Sequence, residues 1–100
     1  MECINEVKLS GQIIKEYELR YTIDGLPVIR FVLEHNSVYL EEGLPKSTKC
    51  KMYCLMLLAK NTKPDNLINK NVIVYGFLNQ NSKSQIVLHV KEIKFLDKGN

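Results

Sequence analysis

Alternation of apolar and polar residues at every second position is the feature that most constrains this chain. In Val7–Ile13 the apolar positions are separated by Lys, Ser and Gln, and the same period returns in Tyr17–Ile23. This is the period of a half-buried β-strand. The two phases meet at the adjacent pair Ile13 and Ile14, which predicts a bend or bulge in one long strand, with Gly11 close enough to permit it.

The second strand is predicted to follow a tight turn. Asp24–Pro27 contains a glycine, which tolerates positive φ, and a proline, which blocks ladder pairing at its own position. Val28–His35 is rich in Val, Ile and Phe, which strands favour. Asn36–Thr48 shows no sustained helical or strand period, so it predicts a long hairpin connection, and such long loops are usually functional.

The third strand, Lys49–Met56, alternates most clearly. Its even-numbered residues are Cys and Met, and these are predicted to face the core. Its odd-numbered residues Lys49, Lys51 and Tyr53 are predicted to form a basic face that ends in an aromatic ring.

The last two strands surround a polar turn. Asparagines and a proline in Ala59–Asn71 predict a loop with at most one short turn. Val72–Leu78 is apolar on both faces, so it must be covered on both sides. Asn79–Ser84 then predicts a hairpin turn, and Gln85–Val90 predicts the last core strand, which further apolar residues extend to Leu96.

Five strands in about 90 residues, with a long bent first strand, predict an OB-fold, which is an all-β, five-stranded Greek-key barrel. An immunoglobulin-like sandwich would need seven strands. At 100 residues the chain can build one compact core. We therefore predict a single domain over residues 1–96 and a short C-terminal tail over residues 97–100.

Charge is distributed unevenly along the chain. From Met1 to Pro45 four basic residues stand against eight acidic ones, a balance of −4, whereas Lys46–Lys70 holds six lysines against Asp65 alone, a balance of +5. The net charge is only +3. A local basic patch attracts polyanions, so nucleic acid is the leading class of partner. The alternative is a solvated lysine-rich face without a ligand.

The sequence contains few signals for catalysis or for metal binding. The chain lacks the sequence motifs of the common hydrolases, nucleotide-binding enzymes and zinc proteases, so we predict neither an enzyme nor a cofactor. No second Cys or His pair follows Cys50 and Cys54 at the spacing of a zinc finger. We expect the three cysteines, Cys3 among them, to be small buried thiols, and His35 and His89 to be buried as well, rather than metal ligands.

The expected compartment is the cytoplasm. The longest apolar run, Cys54–Ala59, is too short to span a bilayer, and the first residues lack the pattern of a signal peptide. An odd number of cysteines also argues against a secreted domain held together by disulfides.

Seven short strings, in this order and spacing, resemble the primosomal replication protein N (PriB) family over nearly the whole chain. They are Leu9-Ser10-Gly11, Gly25-Leu26-Pro27, Phe31-Val32-Leu33-Glu34-His35, Glu41-Glu42-Gly43, Gly76-Phe77, Val87-Leu88-His89 and Glu92-Ile93. The resemblance implies an OB-fold homodimer related to bacterial single-stranded DNA-binding protein. It also implies a non-enzymatic accessory role in restarting stalled replication forks, with single-stranded DNA, the PriA helicase and, in some lineages, DnaT as partners.

The resemblance also bears on single positions. Lys15, Arg20 and Lys46 keep basic residues where the family presents them, and Tyr21 lies in a string that resembles other branches of the family. Enterobacterial relatives carry aromatic residues where this chain has Leu44 and Lys49. Their last hairpin is also longer and richer in lysine than the one here, which offers only Lys83. Base stacking should therefore be weaker in this chain.

We predict a basic groove that follows the backbone of a single strand with weak sequence preference. Its predicted cations are Lys15, Arg20, Lys46, Lys49, Lys51 and Lys83. Tyr21, Tyr39 and Tyr53 are the candidates for stacking on bases. The excess of apolar residues in Val28–Leu33 and Val72–Leu78 predicts that the chain dimerises.

Two other functions remain open. The chain could be a protein-interaction adaptor of the primosome whose DNA binding is marginal, as the missing aromatic residues permit. It could also be an RNA-binding OB module, because a groove that follows the backbone tolerates ribose.

Overall fold

The computed structural model describes residues 3–96, which form β-strands joined by turns and one longer loop. The strands are β1 (Val7–Glu16), β2 (Arg20–Tyr21), β3 (Pro27–Glu41), β4 (Leu44–Leu57), β5 (Asn71–Gln80) and β6 (Ile86–Phe95). No helix capable of crossing a membrane occurs in this part of the chain. The predicted tail, Asp97–Asn100, lies outside the described residues.

The strands close into a barrel. Their order in the sheet is β1-β5-β6-β4-β3-β2, and β1 also pairs with β3, which joins the two ends. β4 and β6 are parallel, with Cys54 opposite Leu88, and the other pairs are antiparallel. Because β2 is a two-residue extension of the first strand, the barrel has five strands in Greek-key order. The predicted all-β OB-fold is confirmed.

The bend in the first strand is also confirmed. The pairing of β1 with β3 slips between Ile13 and Lys15, so Ile14 is the extra residue of a bulge. Gly11 serves a different purpose from the one predicted. A Cβ atom at this position would collide with the carbonyl oxygen of Glu34, so glycine allows the backbones of β1 and β3 to approach closely.

The predicted hairpin connection Asn36–Thr48 is confirmed as a hairpin, but its arms are paired strands rather than a loop. β3 and β4 continue past the barrel as a paired ribbon that ends in a two-residue turn, with Glu41 opposite Leu44. Glu42 and Gly43 both have positive φ, 54° and 79°, as a type I′ turn requires. Nearly every residue of the ribbon is exposed. Its sequence therefore lacks the alternation that one-sided burial produces.

The core lies inside the barrel and confirms most of the predicted inward positions. Its fully buried side chains include Ile13, Phe31, Leu33, Val72, Val74 and Leu88. In β4, Cys54 is buried, and Met52 and Met56 pack against the core. Cys50 was predicted to face the core but is exposed, because β4 has already left the barrel at that position and continues into the ribbon.

The apolar outer face of β5 is covered largely by this chain itself. The ammonium groups of Lys8 and Lys94 lie 5.5 and 5.6 Å from the centre of the Tyr75 ring. The imidazole of His89 stacks on Phe77, with 5.1 Å between ring centres. These contacts cover the outer face of β5, as we predicted from the apolar residues on both faces of Val72–Leu78.

The predicted turns are confirmed, and so is the predicted loop, although it contains two short turns rather than at most one. Gly25 lies in the turn before β3 with a φ of 87°. Residues 58–70 form a loop with short turns, and a polar turn joins β5 to β6.

Candidate nucleic-acid interface

One side of the barrel gathers most of the predicted cations. It consists of the outward side chains of β1–β4, and we call it the cationic face. Strand pairing places Lys15 beside Val32, and Val32 beside Tyr53. Residues that are directly opposite in neighbouring strands share a face of the sheet. Lys15 and Tyr53 therefore lie on the same face, one strand apart.

Further cations extend this face in both directions. Lys51 lies opposite Glu34, and Lys49 lies opposite Asn36. Arg20 pairs with Val28 at the other end. The cationic face thus brings together Lys15, Arg20, Lys49, Lys51 and Tyr53 out of the eight residues predicted for the site.

The remaining three predicted residues lie elsewhere. Lys46 pairs with Tyr39 on the ribbon, and strand alternation turns both toward the face opposite to that of Lys49. Tyr21 pairs with Pro27, next to the turn before β3, and is exposed. Lys83 lies in the turn between β5 and β6. The predicted residues therefore do not all line one groove: five lie on the cationic face, Lys46 lies on the other face of the ribbon, and Tyr21 and Lys83 lie at or next to turns.

Glu34 brings a negative charge into the middle of the cationic face. Its carboxylate lies 3.8 Å from the ammonium group of Lys49 and is mostly shielded from solvent, with 21% of the side chain exposed. It is also the cross-strand neighbour of Lys51. Glu34 therefore competes with phosphate for both lysines.

A cleft of about 500 Å³ borders this face. One wall consists of Tyr17, Arg30, Tyr53 and Leu55, and the other wall is formed by β6 and its turn, including Gln85 and His89. Because β6 pairs with β4, the hairpin of β5 and β6 lies beside the cationic face, and the surface between them is concave. Ligands of OB-folds bind to this side of the barrel, between the hairpin loops.

Arg30 and Tyr17 were missed by the sequence analysis. The guanidinium carbon of Arg30 lies 5.3 Å from the centre of the Tyr17 ring, and the ammonium group of Lys15 lies 5.0 Å from it. The available signal was a charged residue within the apolar strand Val28–His35. Its pairing with an aromatic residue of β1 depends on barrel closure, which the local sequence does not show.

The turn that forms the second wall is well ordered by its own hydrogen bonds. The amides of Lys83 and Gln85 both donate to the side-chain oxygen of Asn81, at 2.9 Å each. The side-chain amide of Asn81 donates to the side-chain oxygen of Gln85 at 3.0 Å. This Asx-type turn keeps the hairpin of β5 and β6 short and constrained.

The cysteines divide into two kinds. Cys54 is buried, and desolvation raises the pKa of its thiol to about 12, so the thiol stays protonated and unreactive at neutral pH. Cys3 and Cys50 are exposed, contrary to prediction. Cys3 lies before β1, outside the barrel core.

The histidines have structural partners. Nδ1 of His35 lies 2.7 Å from the carbonyl oxygen of Ser10, which can only accept, so Nδ1 carries the proton. Its Nε2 atom lies 2.8 Å from the hydroxyl of Ser37. Both His35 and His89 are half-buried rather than fully buried, because each lies at the edge of the core.

Within residues 3–96 no cluster of three or more His, Cys, Asp or Glu side chains could hold a metal ion.

Sequence comparison places the chain among single-strand-binding proteins. A family model described as another single-strand binding protein family matches residues 5–92. The replication restart protein PriB of Pectobacterium carotovorum is 30% identical, with complete coverage of both chains. The PriB protein of Yersinia enterocolitica is 29% identical, also with complete coverage.

Solved structures share the fold. PriB from Ralstonia solanacearum has a TM-score of 0.76 at 18% identity and covers 95% of this chain and 100% of its own. The dimeric N-terminal domain of PriB from Thermoanaerobacter tencongensis has a TM-score of 0.69 at 21% identity, covering 94% and 98%. The Plasmodium falciparum SSB, solved as a complex with ssDNA, has a TM-score of 0.68 at 16% identity, covering 97% and 98%.

The family-model match spans most of the chain, and the similarity to PriB extends over its full length. The chain therefore belongs to the single-strand-binding protein family and, within it, to the replication restart proteins of the PriB type.

Proposed function

We propose that this chain is a non-enzymatic, single-stranded DNA-binding component of the replication restart primosome. It acts through one OB-fold domain over residues 1–96, and its work on bacterial DNA places it in the cytoplasm. The observation that carries the proposal is the cationic face. Lys15, Arg20, Lys49 and Lys51 lie on one side of the barrel, beside a cleft that Arg30 lines.

Electrostatic attraction to the backbone is the main source of affinity. Each lysine or arginine that neutralises a phosphate releases a counterion from the strand. Tyr53, half-exposed at 50%, offers one ring for stacking within this cation set. Lys46 and Tyr39 form a second cation–aromatic pair on the other face of the ribbon. A strand that wraps around the ribbon would contact both faces.

Protein partners follow from membership in the replication restart family. We infer that the chain contacts the PriA helicase and, where the lineage has it, DnaT. The exposed apolar residues of the ribbon, Val38, Leu40 and Leu44, support a protein-binding role in addition to DNA binding.

We also infer a homodimer. β1 pairs with β5 from Val7 onward but with β3 only from Gln12 onward, so one edge of β1 has no strand partner among the described residues before Gln12. An unpaired edge is a template for a strand from another chain. The related T. tencongensis domain is described as dimeric. Light scattering on the purified chain tests this inference, and a mass near 11.6 kDa at micromolar concentration would contradict it.

The decisive test reverses two charges of the cationic face. We expect Lys49→Glu with Lys51→Glu to lower affinity for a labelled single-stranded oligonucleotide by about tenfold or more at low salt, because two phosphate contacts become repulsive. The melting temperature should change little, since Lys49 is mostly exposed and its ion pair with Glu34 contributes at most about 1 kcal/mol. Fluorescence anisotropy and thermal unfolding measure the two quantities.

The matched control is Lys60→Glu with Lys63→Glu, which makes the same charge change at two exposed positions of the loop between β4 and β5, outside the cationic face. It should reduce affinity far less. Equal losses in the two double variants would mean that binding depends on net charge alone and would refute the assigned face.

A protein-interaction adaptor remains the second candidate, because Glu34 weakens the cationic face and Lys46 lies off it. In that case the unaltered chain would bind oligonucleotides only weakly, and capture of PriA would survive the double charge reversal. Competition between DNA and RNA oligonucleotides of equal length distinguishes DNA binding from RNA binding.

A further inference from the structure

We propose that the cleft beside the cationic face receives one unstacked base of the bound strand and prefers guanine. The inference rests on the proposed DNA binding and adds a base preference to a site that otherwise reads only the backbone. It depends on three features: the volume and walls of the cleft, the position of Arg30, and the hydrogen-bonding pattern of the four bases.

The cleft is suited to a flat group that has apolar faces and polar edges. Its volume is about 500 Å³, and its lining combines Leu55, Val87 and the ring of Tyr53 with polar side chains that include Gln85 and His89. A mixed lining of this kind fits a nucleic-acid base. A base can stack on Tyr53 while its edge points into the cleft.

Arg30 supplies the hydrogen-bond donors. Among the described residues, one side-chain hydrogen bond is formed by this guanidinium, from Nη2 to the carbonyl oxygen of Glu18 at a long 3.4 Å. Its Nε atom is buried without any acceptor. A guanidinium carries five N–H donors. Arg30 therefore brings to the cleft several donors that no described protein group accepts, and its buried Nε atom is left unpaired, which is unfavourable.

Tyr17 holds the guanidinium in place. The ring of Tyr17 lies 5.3 Å from the guanidinium carbon of Arg30. The backbone amide of Tyr17 also donates to the backbone carbonyl oxygen of Arg30 at 3.0 Å. The side chain is thus fixed from both its backbone and its charged end. Such preorganisation reduces the entropy lost when a ligand binds.

The donors of an arginine match guanine better than the other bases. Guanine presents two neighbouring acceptors, O6 and N7, which a guanidinium binds with two parallel hydrogen bonds. On the corresponding edge adenine places an amino group beside N7, cytosine presents an amino group, and thymine offers the single acceptor O4, so none of them accepts two parallel hydrogen bonds there. An unpaired cytosine also exposes the neighbouring acceptors N3 and O2 on its pairing edge, so the cytosine oligomer is the critical competitor. The proposal assigns to Arg30 the edge that carries O6 and N7, and that edge selects guanine.

The test compares oligonucleotides bound to the full chain. A thymine oligomer of about 16 nucleotides, the upper range for one OB-fold, is measured by anisotropy beside the same oligomer with one central guanine, adenine, cytosine or abasic site. We expect the guanine oligomer to bind about tenfold more tightly than the thymine oligomer. A guanine oligomer that binds no more tightly than the thymine oligomer, or no more tightly than the cytosine oligomer, would overturn the proposal.

Two further arms assign the preference to Arg30. Arg30→Lys keeps the charge but removes the planar pair of donors, so it should abolish the guanine preference while thymine oligomers still bind. Arg20→Lys is the matched control, because Arg20 lies outside the cleft; it should keep the guanine-to-thymine ratio of the unaltered chain. A preference that survives Arg30→Lys refutes the assignment.

Replacement of guanine by 7-deazaguanine needs no protein variant and therefore does not depend on the folding of Arg30→Lys. It removes N7, and the preference should fall by several fold, whereas an unchanged preference would contradict recognition of the O6 and N7 pair. If no oligomer binds at all, including thymine, the proposed DNA binding itself fails. If all oligomers bind equally, only the base pocket fails.

Discussion

At the scale of single residues, the balance of charges around Glu34 is the property most open to adjustment. The carboxylate lies between two lysines that would otherwise be available to phosphate, and it forms an ion pair with one of them, Lys49. An anion on a surface that binds a polyanion lowers affinity and accelerates release. Under the proposed function, this residue would make the bound strand easier to release.

We expect Glu34→Gln to raise affinity for single-stranded DNA by about fivefold at low salt, which corresponds to about 1 kcal/mol. The amide keeps the shape of the side chain but releases both lysines. Anisotropy titration measures the change. Glu92→Gln, on β6 beside Tyr75, is the control and should have a smaller effect. Unchanged or weaker binding by Glu34→Gln would show that the carboxylate does not oppose the strand.

At the scale of the strands, two departures from regular pairing shape the interface. The hairpin of β3 and β4 extends beyond the barrel as an exposed ribbon. In β5 the pairing with β6 shifts between Tyr75 and Gly76, which bends the hairpin that forms the second wall of the cleft. A Cβ atom at Gly76 would collide with the backbone carbonyl of His89.

We expect Gly76→Ala to destabilise the barrel by about 1 to 3 kcal/mol, because the obstacle is backbone and cannot rotate away. For a domain of this size the loss should lower the melting temperature by about 5 to 20 °C. Thermal unfolding followed by circular dichroism measures the shift. Gln80→Ala, at an exposed position of the same strand, should have little effect. A melting temperature unchanged by Gly76→Ala would argue against the close approach.

At the scale of the whole molecule, the ribbon and the uneven charge act together. The radius of gyration is 15.2 Å, larger than the roughly 13 Å expected for a compact 100-residue domain, because the ribbon projects from the barrel. Pairing of β3 with β1, β2 and β4 brings Lys49 and Lys51 onto the same side as Lys15 and Arg20 from the acidic first part of the chain. A chain with a net charge of only +3 thereby presents one strongly basic side.

We expect the affinity for single-stranded DNA to fall with salt along a line of slope about −3 in a plot of log affinity against log salt concentration. Four or five cations on the cationic face, at about 0.7 per neutralised phosphate, produce this value. Anisotropy titrations across a salt series measure it. A slope near zero would mean that apolar or stacking contacts, rather than phosphate contacts, hold the strand.

The local sequence alone determined the barrel. Two-residue alternation, a clash of phases at Ile13 and Ile14, and turns marked by Gly, Pro and Asn were enough to predict the strands of an OB-fold and the bulge in the first one. Alternation also placed Lys49, Lys51 and Tyr53 on a common face. These features depend on burial of one side of each strand, and such burial makes apolar and polar residues alternate along the sequence.

Tertiary structure decided the rest. The ribbon was mistaken for a loop, and Cys50 for a core residue, because strands that leave the barrel bury neither face and carry no periodic signal. The pairing of Arg30 with Tyr17 and the ion pair of Glu34 with Lys49 depend on register and barrel closure. Those contacts join residues far apart in the chain, so only the folded barrel sets which charges share a surface.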